Sequence, residues 1–334
     1  MAKTATQILS EIGIGLNLGQ VFESKQNSRR PDQVRPWLAA VKAKGFGHVR
    51  IPVTWYPSDA CVLDDSEFVH LLDDAIQYAV KIGLTLVINA HHEKWLFDYY
   101  DGSDVFNAKF KALWSRIAYK YRAYTQQQLL FEVLNEPDGK FGIGSASTTT
   151  GCIELTRTIN RVGYEGIRYV DATRIVLVQP NDAGNIWAVP RVYPTKATLP
   201  GAGADKSVGI QCHTYDHYNF CLQGGTNAFY KSVDDISADI GKRVAMLMKW
   251  HTDIGGQDTV ALHLGEFGVG RLDQRQRDAD IVRAYYRITS KLFRDKSICC
   301  TAWSDNGWFA LTTMDASRRV TWPFGLADQI LLKS

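Results

Sequence analysis

A chain of 334 residues, 45% of them hydrophobic and 22% charged, has the composition of a globular protein with a sizeable core. The formal net charge is +3 and no basic block stands out, which argues against a nucleic-acid partner. No apolar run reaches the roughly 18 residues that a membrane span needs, and the opening segment MAKTATQILSEIGIG lacks the features of a signal peptide.

Eight short runs rich in apolar and β-branched residues predict eight strands. In chain order they are residues 12–18, 48–53, 84–92, 129–135, 174–180, 208–215, 260–267 and 299–305. Most are continuous apolar runs rather than alternations of apolar and polar residues. That pattern is typical of parallel strands that are buried on both faces.

Amphipathic stretches that predict helices separate most of these strands. The first carries Val34, Leu38 and Val41 at helical spacing, and the second begins with Ser66 as its predicted N-cap. The six stretches are DQVRPWLAAVKAKG, SEFVHLLDDAIQYAVKIG, NAKFKALWSRIAYKY, TGCIELTRTINRVGYEGIRYV, SADIGKRVAMLMKWH and RDADIVRAYYRITSKLF. The stretch after the fifth strand is less regular because it contains three prolines.

This alternation predicts a single (β/α)8 TIM barrel over residues 1–334. The strand starts lie roughly 35–50 residues apart, as expected for repeated strand–helix units. A doubly wound open sheet is the alternative fold, and it is disfavoured because no Gly-x-Gly-x-x-Gly motif follows the first strand. No low-complexity linker or second module is visible, so one domain is expected.

Polar residues fall at or near the carboxyl ends of seven of the eight predicted strands. The carboxyl ends of barrel strands meet at one face, which carries the chemistry in this fold. We therefore expect one ring of functional side chains, made of Asn17, Arg50, His91, His92, Glu93, Asn135, Glu136, His213, Tyr215, Glu266, Trp303, Asp305 and Asn306.

Basic residues on this ring have competing interpretations. Arg50 would hold a neighbouring glutamate ionised, with a lone structural ion pair as the alternative. His91 and His92 alternate in direction along a strand, so only one of them is expected to face the site. A metal site that includes His213 is the rival interpretation, disfavoured because no His-Glu-x-x-His motif or other ligand cluster appears.

Three tryptophans are candidates for ligand contacts. Trp303 ends the last strand, and Trp95 and Trp308 lie on neighbouring loops. A core position is the alternative for Trp303. Aromatic side chains around the mouth of a barrel fit a stacking surface for sugar rings better.

Several motifs in this chain resemble the strand-end motifs of glycoside hydrolase family 5, the cellulase family. They are GIGLNLG, VRIPVTW, INAHHEKW, LLFEVLNEP, CHTYDHYNF, HLGEFG and TAWSDNGWF. The resemblance covers nearly the whole chain in order, and the combination of Asn-Glu-Pro with Gly-Glu-Phe is specific. It implies a catalytic barrel that cleaves β-glycosidic bonds and needs no metal or other cofactor.

The resemblance also implies roles for individual residues. Glu136 would be the acid/base and Glu266 the nucleophile of a retaining β-glycosidase. The supporting residues would be Arg50 and Tyr215 around Glu266, Asn135 for the sugar 2-hydroxyl, and His91 and His213 lining the site. Substrate-binding residues would be Asn17, Glu23, His92, Trp95, Trp303 at subsite −1, Asn306 and Trp308. One departure is Gln20, which stands where the family pattern has Asn.

Two carboxyl groups are what the implied reaction needs, one as acid and one as nucleophile. Strands four and seven face each other across the barrel, so Glu136 and Glu266 would approach to about 5 Å, the separation expected for retention. Glu132 would lie roughly 13 Å below Glu136, at about 3.3 Å per residue. We interpret Glu132 as a buried structural carboxylate that needs a hydrogen-bonding partner.

The expected partner is a β-glucan polysaccharide or oligosaccharide, cleaved by an endo-β-1,4-glucanase acting on cellulose or mixed-linkage glucan. Xyloglucan and β-mannan are alternative substrates, since the same two glutamates would serve them. A non-catalytic sugar-binding barrel would lack one glutamate, and both are present. A nucleotide-dependent barrel enzyme would need a phosphate-binding glycine loop, which is not found.

The six cysteines show no Cys-x-x-Cys pair and no metal-site spacing. Small buried apolar side chains are the interpretation for most of them. Cys212 and Cys221 flank a short polar stretch and could pair if the protein is secreted. The resemblance implies a secreted protein but leaves this pairing open. A monomer is the expected oligomeric state.

Overall fold

Eight parallel strands close into a barrel in the computed structural model, which describes residues 3–23, 31–222, 224–305 and 307–333. The strands are β1 Ile14–Asn17, β2 His48–Ile51, β3 Thr85–Asn89, β4 Leu129–Glu132, β5 Val176–Val178, β6 Val208–Thr214, β7 Ala261–Phe267 and β8 Cys299–Ala302. They pair in chain order, and β8 pairs with β1. The predicted (β/α)8 barrel is confirmed, and each strand lies inside its predicted run but is shorter.

Helices lie between the strands and at both ends of the described chain. They are α1 Ala5–Ile12, α2 Pro31–Lys44, α3 Ser66–Lys81, α4 Lys94–Tyr99, α5 Asp104–Tyr121, α6 Thr150–Arg168, α7 Asn181–Gly184, α8 Val189–Val192, α9 Tyr218–Cys221, α10 Val233–Asp253, α11 Asp280–Arg294 and α12 Leu326–Ile330. A two-stranded antiparallel ribbon, β9 Thr313–Met314 with β10 Val320–Thr321, follows the barrel. Among the described helices, none has the length and apolar character needed to cross a membrane.

The six predicted amphipathic stretches coincide with α2, α3, α5, α6, α10 and α11. The predicted N-cap of α3 is wrong by one residue. The carboxylate of Asp65 accepts hydrogen bonds from the backbone N–H groups of Glu67 and Phe68, both at 3.2 Å. Ser66 is therefore the first helical residue rather than the cap.

The amino-terminal helix α1 was not predicted from the sequence. Its start is a capping box, in which the Thr4 hydroxyl accepts from the backbone N–H of Gln7 and the Gln7 side chain accepts from that of Thr4. Its apolar face, Ala5, Ile8 and Leu9, packs against inward-facing residues of the barrel strands, namely Val87, Leu130, Leu177, Ala261 and Cys299. This helix therefore closes the amino-terminal end of the barrel, opposite the predicted functional face.

The pairing of Cys212 with Cys221, which the sequence left open, is not formed in the structure, where all six cysteines are free. Cys212 lies within β6, and its Sγ is 3.9 Å from the carbonyl oxygen of His263 on the next strand. Cys221 ends the short helix after that strand, with its Sγ 3.4 Å from the carbonyl oxygen of Asp216. Both thiols are buried in these separate surroundings.

We expect Leu9→Ala to lower the free energy of unfolding by about 2–5 kcal/mol, since it leaves a cavity where α1 seals the barrel. Leu9 is 1% exposed. Chemical denaturation measures the effect. Glu11→Ala, on the exposed side of the same helix, is the control and should change stability little. Equal stability of both variants would contradict a sealing role for α1.

Candidate active site

Arg50 on β2 lies at the centre of the polar network in the barrel mouth. Its side chain is completely buried, and each of its five N–H groups has an acceptor. Nε and Nη2 donate to the two carboxylate oxygens of Glu132 at 2.7 and 2.8 Å. Nη1 donates to Asn17 Oδ1 and Glu266 Oε1, both at 2.7 Å, and Nη2 also donates to Asn135 Oδ1 at 2.6 Å. A fully paired guanidinium is the condition under which such a charge is tolerated in the interior.

Glu132, at the end of β4, is the two-point partner of this guanidinium. Its Oε1 also accepts from Asn89 Nδ2 at 3.1 Å and from Gln179 Nε2 at 2.8 Å. Burial alone would raise the pKa of Glu132, but the charge and hydrogen bonds of Arg50 lower it below its usual range. Glu132 is therefore a buried structural carboxylate, as interpreted from the sequence.

Glu266, on β7, receives one hydrogen bond on each carboxylate oxygen. Arg50 donates to Oε1, and the Tyr215 hydroxyl donates to Oε2 at 2.8 Å. Burial raises the pKa of Glu266, and His213, Arg50 and the Tyr215 hydroxyl counteract that effect. The two donors favour the ionised form of a group whose surroundings otherwise disfavour charge.

Glu136 lies beyond the end of β4 and has no hydrogen bond to Arg50. Its backbone has a left-handed φ of 43°, and its N–H donates to Gln179 Oε1 at 2.9 Å. Its Oε1 is 2.8 Å from His213 Nδ1, and the side chain is 26% exposed. Burial raises the pKa of Glu136 to about 7, with Asp138 and Glu132 adding to the shift and Arg50 opposing it.

The two candidate catalytic carboxyls lie close together at the mouth. Glu136, Glu266 and His213 each contribute one atom to a set whose members are all within 4.8 Å of one another. Arg50 and Tyr215 contact only one carboxyl of the pair. The network therefore distinguishes a carboxylate held by donors from a carboxyl that stays protonated to a higher pH.

A cavity of about 490 Å³ opens over these carboxyls. Its lining includes His91, His92, Glu136, His213, Tyr215, Glu266, Trp303 and Phe309. The prediction that only one histidine of the pair faces the site is wrong. The strand ends at Asn89 and His92 has a left-handed φ of 52°, so the alternation of a strand does not extend to these residues.

Trp303 and Glu23 lie at the edges of this site. The indole ring of Trp303 is parallel to the imidazole of His91, with 6.1 Å between centroids and 3° between planes. Glu23 has an oxygen within 4.8 Å of ring nitrogens of His91 and His92 and accepts from the Gln20 N–H at 2.7 Å. Burial raises its pKa to about 7.

Two predicted substrate contacts, Asn17 and Trp95, lie away from the cavity. Asn17 is completely buried, and its amide donates to the carbonyl oxygens of Gly265 and Ala302, so it belongs to the barrel interior. Trp95 lies in α4, where its indole N–H donates to Glu93 and its ring packs on Phe106. Trp308 does not line the cavity itself but lines an adjoining groove that shares Tyr218 and Leu222 with it. Asn306 lies outside the described residues.

The sequence analysis missed three residues of this network, Asn89, Gln211 and Gln179, of which Gln179 makes the most contacts. Gln179 follows β5, the one predicted strand for which no polar end was considered, and it contacts Glu132, Gln211, His213 and the backbone of Glu136. A polar residue directly after the apolar run IVLV was the available signal. The amide nitrogen Nδ2 of Asn135 is also buried, and it has no hydrogen-bond partner among the described residues.

Three groups of side chains among the described residues have the proximity of metal ligands. They are Glu136, His213 and Glu266; Glu23, His91 and His92; and His48, His263 and Cys299 inside the barrel. In the first group, the adjacent charge of Arg50 opposes a second cation. In the third, both histidine Nε2 atoms already hydrogen-bond to Thr301 Oγ1, at 2.7 and 2.6 Å.

Comparison with known proteins gives consistent matches. The family model described as Cellulase (glycosyl hydrolase family 5) matches residues 19–307. Endoglucanase H of Acetivibrio thermocellus is 25% identical over 312 residues, which cover 91% of this chain and 30% of that protein. Endoglucanase A of Ruminococcus albus is 27% identical over 327 residues, covering 92% of this chain and 85% of that protein.

Some of these relatives are much longer than this chain. The matched region covers 30% of endoglucanase H and 37% of cellulase/esterase CelE, both of A. thermocellus, and 60% of endoglucanase A of Clostridium longisporum. Among solved structures, endoglucanase Cel5A of Thermotoga maritima matches with a TM-score of 0.78 at 22% identity, over 98% of this chain and 100% of that one. This likeness shows a shared fold.

We expect Glu132→Gln to lower the free energy of unfolding by about 3–5 kcal/mol at neutral pH, because it leaves the Arg50 charge short of its main partner. Denaturant titration across pH measures this. The folded-state pKa of Glu132 is lowered, so its contribution is present above an unfolded pKa of about 4.3 and is lost as pH falls. The difference in free energy of unfolding between wild type and Glu132→Gln should therefore become smaller at acidic pH.

Lys249→Met removes an exposed Lys249–Asp253 pair of α10 and serves as the control. Its effect should be far smaller than that of Glu132→Gln. A Glu132→Gln protein as stable as wild type at neutral pH would contradict the central role of this ion pair.

Proposed function

The chain belongs to the cellulase family, glycosyl hydrolase family 5, and we propose that it is a retaining endo-β-1,4-glucanase. The observation that carries the proposal is the pair Glu136 and Glu266, with carboxylate oxygens within 4.8 Å of each other above one buried arginine. Retaining glycosidases keep their two carboxyl groups about 5–5.5 Å apart, whereas inverting enzymes need roughly 6.5–9.5 Å to admit a water. The separation here supports retention.

Glu266 is the proposed nucleophile. Hydrogen bonds from Arg50 and Tyr215 favour its carboxylate form, which attacks the anomeric carbon as the bond to the leaving oxygen breaks. The product of this step is a glycosyl ester on Glu266.

Glu136 is the proposed acid/base. With a pKa of about 7 it still carries a proton near neutral pH, and it donates that proton to the leaving oxygen. Formation of the ester removes the negative charge of Glu266, so repulsion between the two carboxylates disappears. Glu136 is then suited to accept a proton from the water that cleaves the ester.

Two further groups support a sugar substrate. The buried Asn135 Nδ2 has no acceptor among the described residues, and a ring hydroxyl would provide one. The Trp303 ring lines the cavity and offers an apolar face to a sugar ring. Several curated relatives are named endoglucanases, which favours a β-1,4-glucan.

A β-mannan is the second candidate substrate. Cel5A of T. maritima, which shares this fold, has been crystallised with cellobiose and with mannotriose. A broad-specificity endoglucanase of C. longisporum also shares the fold, with a TM-score of 0.80 at 20% identity. We propose β-glucan as the preferred polymer, and activity on β-mannan is the measurement that tests this preference.

We expect the purified chain to release reducing ends from carboxymethylcellulose and mixed-linkage glucan faster than from xyloglucan, glucomannan or galactomannan. NMR of the first product should show a retained anomeric configuration. Glu266→Gln should lower kcat by about 10³-fold or more, as loss of a nucleophile does in other covalent enzymes. Glu67→Gln, on the exposed start of α3, is the matched control and should leave rates unchanged.

Unchanged hydrolysis by Glu266→Gln would refute its assignment as nucleophile. An inverted first product would refute the double-displacement mechanism. Highest activity on galactomannan would make the chain a mannanase instead.

For wild type we expect kcat/KM to fall as pH rises above about 7, by tenfold per pH unit once Glu136 is mostly ionised. The direction follows from its raised pKa, because only the protonated form acts as the acid. Initial rates on a soluble β-glucan across pH 4–9 measure the profile. A decline of kcat/KM that already begins below pH 5 as the pH rises would contradict the assignment of Glu136 as the acid.

A further inference from the structure

Gln179 is completely buried directly beneath the proposed acid/base. Its Oε1 accepts from the backbone N–H of Glu136 at 2.9 Å. Its Nε2 donates to Glu132 Oε1 at 2.8 Å and to Gln211 Oε1 at 2.7 Å. The same nitrogen is 3.3 Å from Nε2 of His213. One carboxamide thus contacts the structural ion pair, the acid/base backbone and the histidine that touches the acid/base.

The orientation of this carboxamide is determined by its neighbours. An ionised carboxylate such as Glu132 only accepts hydrogen bonds, and a backbone N–H such as that of Glu136 only donates. A flipped amide would face both with the wrong group. The amide also packs closely against Gly184, where an added Cβ would lie 2.5 Å from Gln179 Oε1, so only glycine at this position leaves room for it.

The orientation of Gln179 determines where neutral His213 carries its proton. Burial lowers the pKa of His213 to about 4, so the ring is neutral near pH 7 and has one N–H. Nε2 faces the amide nitrogen of Gln179, which has no lone pair to accept a proton. The N–H is therefore on Nδ1, and it donates to Glu136 Oε1 over 2.8 Å.

This tautomer distinguishes the two oxygens of Glu136. Oε1 accepts the Nδ1–H, so in the acid form the carboxyl proton lies on Oε2. We infer that Gln179 is a positioning residue that selects the Nδ1–H tautomer of His213 and thereby assigns the acidic proton of Glu136 to Oε2. This inference rests on the proposed acid/base function of Glu136.

Proton transfer then follows one route. The Oε2–H bond of Glu136 breaks as the proton passes to the glycosidic oxygen, while the bond from that oxygen to the anomeric carbon breaks and the bond from Glu266 forms. If His213 carried its proton on Nε2 instead, the Nδ1 lone pair would attract the carboxyl proton of Glu136 to Oε1. The acid would then donate to histidine rather than to substrate.

The tautomer is tested directly by ¹⁵N NMR of histidine-labelled protein near pH 7, with His213→Asn used to assign the signal. Wild type should show a protonated Nδ1 and an unprotonated Nε2. Gln179→Glu offers an acceptor opposite Nε2 and should move the proton there. A wild-type ring protonated at Nε2 would overturn the inference, and this readout needs no enzymatic activity.

Kinetics of Gln179→Met provide the second test. This variant keeps the side-chain length but removes both the donor and the acceptor of the amide. It should lower kcat on β-glucan by about 10–100-fold, because it removes part of the rate enhancement that general acid catalysis provides. KM should change little. The rate on 2,4-dinitrophenyl β-cellobioside should change less than about threefold, because that leaving group needs no proton.

Gln211→Met is the matched control. It is a buried glutamine that contacts the same carboxamide without contacting Glu136, so the His213 tautomer and the ratio of the two substrate rates should stay as in wild type. Equal losses on both substrates for Gln179→Met would make Gln179 a merely structural residue. Absence of any hydrolysis by wild type would instead refute the proposed function, and the NMR result would still decide the tautomer.

Discussion

A single buried cation, the Arg50 guanidinium, organises the mouth of this barrel. Its charge is tolerated because every N–H has an acceptor, and those acceptors come from β1, β4, the loop after β4 and β7. Glu266 is one of them. The contacts that make the buried charge acceptable are therefore the same contacts that position the proposed nucleophile.

Three carboxyl groups surround this one cation, and their contacts with it differ. Glu132 binds the guanidinium at two points, and its pKa is lowered. Glu266 receives one hydrogen bond from it. Burial raises the pKa of Glu266, and the contact with Arg50 opposes that effect only in part. Glu136 receives none, and its pKa reaches about 7. The proposed roles of acid and nucleophile thus follow the number of guanidinium N–H groups that contact each carboxyl.

The strand-end pattern identified the correct face of the barrel but not the direction of every side chain. Asn17 turns into the interior, and Trp95 packs in a short helix beside the barrel. His91 and His92 both reach the cavity because the chain has already left the strand. Side-chain direction beyond a strand depends on individual φ values, which local sequence patterns do not specify. The capping box of α1 and the polar residue after β5 are local features that the sequence does contain.

By itself the sequence predicted the barrel, its strand order, and a ring of polar residues at the strand ends that includes Glu136 and Glu266. Those features follow from apolar runs, helical spacing and polar strand ends, which are local patterns. Only the tertiary structure decided which acceptor each N–H of Arg50 reaches and how Gln179 is oriented. Arg50 is 82 residues from Glu132 and 216 from Glu266, and only closure of the barrel brings such distant residues to one point. The partners of a buried charge are set by that closure, because each must lie within hydrogen-bonding distance in three dimensions.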